Sequence, residues 1–149
     1  MMKMNFSSFS NKTLSEKDSS KEKILLVEDD QNQRICLKEF LEIRGYACLE
    51  ADNGLTALNI LATQPVDLII TDSHMPQMGG LEFIEQVNRH HSGELLPIFL
   101  VTGELSHTVR LQAFKNGVNR VFEKPLDYHE LCHAVDWVTK FDLPHSSTA

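Results

Sequence analysis

The stretch Leu68-Ile69-Ile70-Thr71-Asp72-Ser73-His74-Met75-Pro76 decides how the rest of the chain is read. An apolar run this short has no room for a helix and reads as a buried strand. It ends at Asp72, and Pro76 then prevents a regular continuation. In an open parallel α/β sheet, ligands sit outside the carboxyl ends of the strands, so Asp72 stands where chemistry is done. Two other stretches are built to meet it. Ile24-Leu25-Leu26-Val27 runs into Glu28-Asp29-Asp30, and Val121-Phe122 runs towards Lys124-Pro125.

Working outward, the pattern alternates strand and helix. Lys23 to Val27 is the first strand; Asp30 caps the helix after it, and Gly45 ends that helix in the left-handed conformation. Cys36, Leu37, Phe40 and Leu41 form its apolar stripe. A short strand follows around Ala47 to Glu50. Asn53-Gly54 opens a helix with Ala57, Leu58 and Leu61 inward, Pro65 breaks it, and the third strand runs from Val66 to Thr71. Gly80 to about His90 is a helix with Phe83, Ile84 and Val87 inside. Ile98 to Val101 is a strand ending at Thr102. A helix from about Ser106 to Asn116 closes at Gly117, and a strand around Arg120 to Glu123 leads to Lys124. Asp127-x-x-Glu130 caps a last helix whose Leu131, Ala134, Val135 and Val138 face the core. Five strands alternating with five helices predict a single α/β domain, a parallel sheet covered on both faces by right-handed crossovers.

Composition bounds the rest. The 149 residues suit one domain, and 42% apolar content suffices for its core. A net charge of −7 argues against nucleic acid, which demands clustered Lys and Arg. No apolar run approaches the roughly 20 residues that cross a bilayer. No signal-peptide pattern opens the chain, so a cytoplasmic protein is expected. Cys36, Cys48 and Cys132 have no CxxC spacing and read as buried, reduced thiols. Residues 1–22, rich in Ser, Lys and Asn, read as a flexible arm, 23–141 as the folded domain and 142–149 as a loose tail.

From Lys23 to Phe141 the chain resembles the receiver domain of two-component response regulators, of the single-domain kind found in chemotaxis and sporulation relays. The residues that carry the resemblance are Glu28-Asp29, Asp72, Met75-Pro76, Gly80, Thr102 and Lys124-Pro125. Singly each is weak; together, in this order at four strand ends, they are specific. The resemblance implies a flavodoxin-like (βα)5 fold with strand order 2-1-3-4-5 and a cis peptide before Pro125. It implies Asp72 as phosphoacceptor, assisted by Thr102 and Lys124. It also implies Mg²⁺, with Mn²⁺ as a substitute, on Asp29 and Asp72, on Glu28 through water, and on the backbone carbonyl of His74.

Residue chemistry agrees. Carboxylates 4 Å apart repel by about 4 kcal/mol at an effective dielectric of about 20. A hard divalent cation with oxygen ligands relieves that repulsion. Aspartate is also a known covalent phosphoryl acceptor. Taken one at a time, Asp72 would be a solvated loop acid, Thr102 an ordinary strand end and Lys124 a surface charge; only their joint placement says otherwise. The His74 ring is expected to lie along the rim without a role.

Two features depart from the usual receiver. An aromatic often stands three residues before the lysine, but here that position is Val121, and Phe122 beside it points to the opposite face. Gly79-Gly80 replaces the commoner Asp- or Asn-Gly. No DNA-binding output pattern follows Lys140, so output by protein contact, or by passing the phosphoryl group on to another histidine, is expected. A histidine kinase or histidine phosphotransfer protein would be the donor. The downstream target would meet the face of the fourth helix, fifth strand and fifth helix, where Tyr128, Trp137 and Phe141 are candidates. A monomer or weak dimer is expected. Two rival readings are a phosphorylation-independent interaction module and a haloacid-dehalogenase-type hydrolase. The hydrolase would need a second Asp where His74 stands.

Overall fold

The computed structural model describes residues 21–90 and 96–141. His91, most of the expected arm and the tail from Asp142 lie outside them. Five parallel strands form one sheet: β1 (Lys23–Val27), β2 (Ala47–Ala51), β3 (Leu68–Asp72), β4 (Ile98–Thr102) and β5 (Arg120–Glu123). The order is β2-β1-β3-β4-β5, the doubly wound order that the resemblance implies. Both central strands β3 and β4 are buried along their whole length, because helices cover both faces. The third strand starts at Leu68 rather than Val66. Asp67 instead accepts a hydrogen bond from the Lys23 backbone N–H, at 2.8 Å.

The helices are α1 (Gln31–Ile43), α2 (Gly54–Thr63), α3 (Gly80–His90), α4 (His107–Lys115) and α5 (Tyr128–Asp136). Asp30, Asn53, Ser106 and Asp127 cap α1, α2, α4 and α5, each accepting from backbone N–H groups in the first turn. Gly45 takes φ 98° just past α1, the left-handed exit foreseen for it. After α5 the chain continues as a π-helical turn, Trp137–Phe141, which periodicity did not foresee.

Strand alternation splits the core in two. Ile24, Leu26, Ile70, Val101 and Phe122 pack with Leu37 and Leu41 of α1 and Leu131 and Val135 of α5. Leu25, Val27, Ile69 and Leu100 pack with Ala57, Phe83, Ile84 and Ala113 of α2, α3 and α4. Phe122 thus falls on the α1/α5 side, 5.4 Å from the Phe99 ring, while Val121 lies on the α4 side. The one-residue shift of the aromatic to the opposite face is therefore real.

Several side chains depart from expectation. Cys48, expected to be buried, is only half-buried. Cys36 is exposed rather than buried, since the buried line of α1 runs through Leu37 and Leu41 and leaves it at the edge. Leu58 is only half-buried. The ring of Tyr128 stacks on Phe40 of α1 at 5.1 Å, so Tyr128 belongs to the α1 side and not to the α4–β5 face.

Candidate functional site

Three strand ends converge above the sheet. The β1 and β3 registers pair Val27 with Thr71, so Glu28 and Asp29 emerge beside Asp72. Oxygens of Glu28, Asp29 and Asp72 lie within 4.8 Å of one another, a grouping that can hold a metal ion. Asp72 is nearly buried, with 6% of its surface exposed, whereas Asp29 faces solvent. The β4–β5 register pairs Thr102 with Glu123, and Lys124 N–H donates to the Thr102 carbonyl at 2.8 Å. This brings Lys124 Nζ to 3.0 Å from Asp72 Oδ1 and 3.2 Å from Glu28 Oε1. The Lys124–Pro125 peptide is cis. The residues named from the sequence at the ends of β1, β3 and β5 therefore meet in one hollow.

Its electrostatics follow from crowding. Burial pushes the Glu28 carboxyl above its ordinary value; a backbone N–H from Asp30 opposes this, and the neighbouring Asp72 charge adds to it. For Lys124, burial disfavours the charge, but hydrogen bonds and attraction to Asp72 and Glu28 outweigh it and hold the pKa high. Three carboxylates share one ammonium here. A hard, oxygen-seeking divalent cation fits that donor set better than a softer ion would. Among the described residues no His or Cys joins this cluster, so its side-chain donors are carboxylate oxygens alone.

The surroundings hold these groups in place. Arg34 of α1 donates to the Glu28 carbonyl at 2.7 Å and to Glu50 of β2 at 3.0 Å, pinning the β1 end from behind. No local signal in the sequence points to that role. Gly80 is needed for contact: a Cβ there would stand 2.2 Å from the Asp72 carbonyl oxygen, so only glycine lets α3 start this close to β3. Thr102 is fully buried. Its hydroxyl accepts from Ser73 Oγ at 3.0 Å and from Glu104 N–H at 3.2 Å. The His74 ring is exposed, with its Nδ1 2.9 Å from Ser73 Oγ. A cavity of about 540 Å³ opens beside Asp72 and Lys124, with Leu26, Leu37, Ile70 and Val101 beneath and Tyr128 at its edge.

Comparison with known proteins decides the family. The response regulator receiver domain matches residues 24–136. The chain belongs to the response regulator receiver family. It is 32% identical over 115 residues to the chemotaxis protein CheY-3 of Vibrio cholerae, covering 76% of this chain and 88% of that one. It is 36% identical over 105 residues to a CheY homologue of Campylobacter jejuni, covering 69% and 81%. In structure it resembles Vibrio cholerae CheY4, with a TM-score of 0.75 at 28% identity over 79% of this receiver and 98% of that chain. Receivers are regulatory parts of two-component signalling, and this one carries the family's acidic pocket. Among its described residues no helix is long and apolar enough to cross a membrane.

Proposed function

We propose that this receiver accepts a phosphoryl group on Asp72 from a histidine kinase or histidine phosphotransfer protein and signals by changing which protein it binds. The observation that carries this is the gathering of Glu28, Asp29 and Asp72 oxygens within 4.8 Å, with Lys124 Nζ 3.0 Å from Asp72. Such crowding of like charge is costly unless a cation and an incoming anion use it.

Asp29 and Asp72, with Glu28 through water and the His74 carbonyl, would hold Mg²⁺, or Mn²⁺ in its place. When bound, the ion neutralises the acids and the phosphoryl oxygens. One Asp72 oxygen attacks phosphorus as the bond from phosphorus to the donor nitrogen breaks. The electron pair leaves with the donor imidazole, and the acyl phosphate forms on Asp72. Transfer of this kind passes through a loose transition state, so the protein's part is positioning and charge neutralisation. Lys124, already between Asp72 and Glu28, offers its ammonium to one phosphoryl oxygen. Thr102 offers its hydroxyl to another. The protein is a phosphoacceptor rather than an enzyme acting on free substrates.

Output belongs to the face of α4, β5 and α5, where Leu111 and Phe114 stand one helical turn apart and about half exposed. Trp137 and Phe141, with ring centroids 5.7 Å apart, are also largely exposed just past the end of α5. A cytoplasmic monomer or weak dimer, without nucleic acid or membrane, fits this role. Incubation with Mg²⁺ and acetyl phosphate, followed by intact mass, is expected to add one phosphoryl group. Chelation with EDTA should abolish the addition. Mass unchanged with the metal present would contradict the reading.

A further inference from the structure

Ser73 was not singled out by sequence, and the receiver chemistry above makes no use of it. It follows Asp72 directly, one step past the Asp72–Val101 pair in the β3–β4 register, and so lies beside Thr102. By alternation both side chains fall on the sheet face that carries α2, α3 and α4, the face of Ile69 and Leu100. Ser73 Oγ donates to Thr102 Oγ1 at 3.0 Å, and Glu104 N–H donates to the same oxygen at 3.2 Å. Both lone pairs of that hydroxyl are thereby occupied. His74 Nδ1 lies 2.9 Å from the same Ser73 Oγ.

The backbone of Ser73 is fixed on both sides. Its N–H donates to the Val101 carbonyl at 2.9 Å, and its own carbonyl accepts from Gly80 N–H at 2.9 Å. Gly80 packs against the Asp72 carbonyl with no space for a Cβ. The Ser73 backbone therefore cannot follow Thr102 if Thr102 turns towards a group on Asp72. Reaching the phosphoryl oxygen means breaking the Ser73–Thr102 bond.

We infer that Ser73 is a positioning residue, a latch that holds the Thr102 hydroxyl in its resting place and lowers the site's affinity for a phosphoryl group. The inference rests on the phosphoacceptor reading above and adds a regulatory residue to it. The latch acts through Thr102 alone, so its removal matters only while Thr102 keeps its hydroxyl.

The test is a titration of the full chain with beryllofluoride in Mg²⁺, followed by ¹⁹F NMR of the bound species. Ser73→Ala is expected to bind about fivefold tighter than wild type, the equivalent of one net hydrogen bond. Ser73→Thr, which keeps the hydroxyl, should match wild type. Ser73→Cys, a weak donor, should fall between them and serves if the alanine variant does not fold. In a Thr102→Val background Ser73→Ala should change nothing, an outcome that a general loosening of the loop would not give. Wild-type binding with Ser73→Ala equal or weaker overturns the latch alone, as does an equal gain in the Thr102→Val background. No binding by wild type overturns the phosphoacceptor reading, and the latch with it.

Discussion

The two ends of the sheet use the same residue types to opposite effect. At the end where β1, β3 and β5 finish, three carboxylates gather around one lysine. At the other end a single carboxylate, Asp136, is met by Arg44 at 2.9 Å, by Lys140 at 3.7 Å and by the hydroxyl of Tyr46. Tyr46 is nearly buried, and its hydroxyl also lies 3.1 Å from Thr139, which donates to the Val135 carbonyl. Burial pushes Asp136 up, but hydrogen bonds from Tyr46 and Arg44 outweigh it and hold the carboxyl below its usual value. Burial pushes Tyr46 up, so the phenol stays neutral. A matched network ties α1, β2 and α5 together and has no need of a ligand. An unmatched one carries surplus negative charge and gains by binding a cation.

Substitutions should separate the two ends. The largest effect is on chemistry: Asp72→Asn should abolish phosphoryl incorporation while leaving metal-free stability equal or higher, because it relieves repulsion. Urea unfolding of the metal-free protein, alongside intact mass, checks both halves. Next, Mg²⁺ at a hundred times its Kd should stabilise wild type by about 2.7 kcal/mol and do nothing for an Asp29→Asn/Asp72→Asn double variant. Equal stabilisation of both would place the ion elsewhere. Smaller again, Asp136→Ala should cost about 2 kcal/mol by leaving the Tyr46 hydroxyl and Arg44 unpaired, yet still accept phosphate. Loss of phosphorylation in a folded Asp136→Ala protein would show that the ends are not independent.

The smallest effect is a difference in sign with pH. Asp136 has a lowered folded pKa, so its contribution is present above the ordinary value of 3.8 and is lost as pH falls through the folded value. Glu28 has a raised one, so in the absence of metal its contribution is present below 4.5 and is lost as pH rises through the folded value. Stability measured against pH should fall less steeply at low pH in Asp136→Asn and decline less above 4.5 in Glu28→Gln. The same slope change in both variants would refute the contrast.

The same contrast explains what could be read in advance. Strands β3 and β4 were legible because burial on both faces demands unbroken apolar runs, and Asp72, Thr102 and Lys124 were legible because they stand where such runs stop. The caps Asp30, Asn53, Ser106 and Asp127 act within three residues of themselves, a range that sequence exposes. What escaped depends on distant partners. Tyr46 and Asp136 are 90 residues apart, and Ser73 and Thr102 are 29 apart. Nothing near Arg34 announces Glu50 or the Glu28 carbonyl. The burial of Cys36 was misjudged because a helical stripe does not say which of its edges the sheet covers. Sequence alone leaves Tyr128 between the output face and the core edge, and its partner Phe40, on another helix, puts it at the core edge.

The most direct measurement is the position of the phosphoryl group. Treatment with Mg²⁺ and acetyl phosphate, borohydride reduction of the acyl phosphate and peptide mass mapping should place a single reduced residue at Asp72. Reduction at Asp29 or Glu28, or phosphate on a histidine or serine, would contradict the assignment of Asp72 as the acceptor.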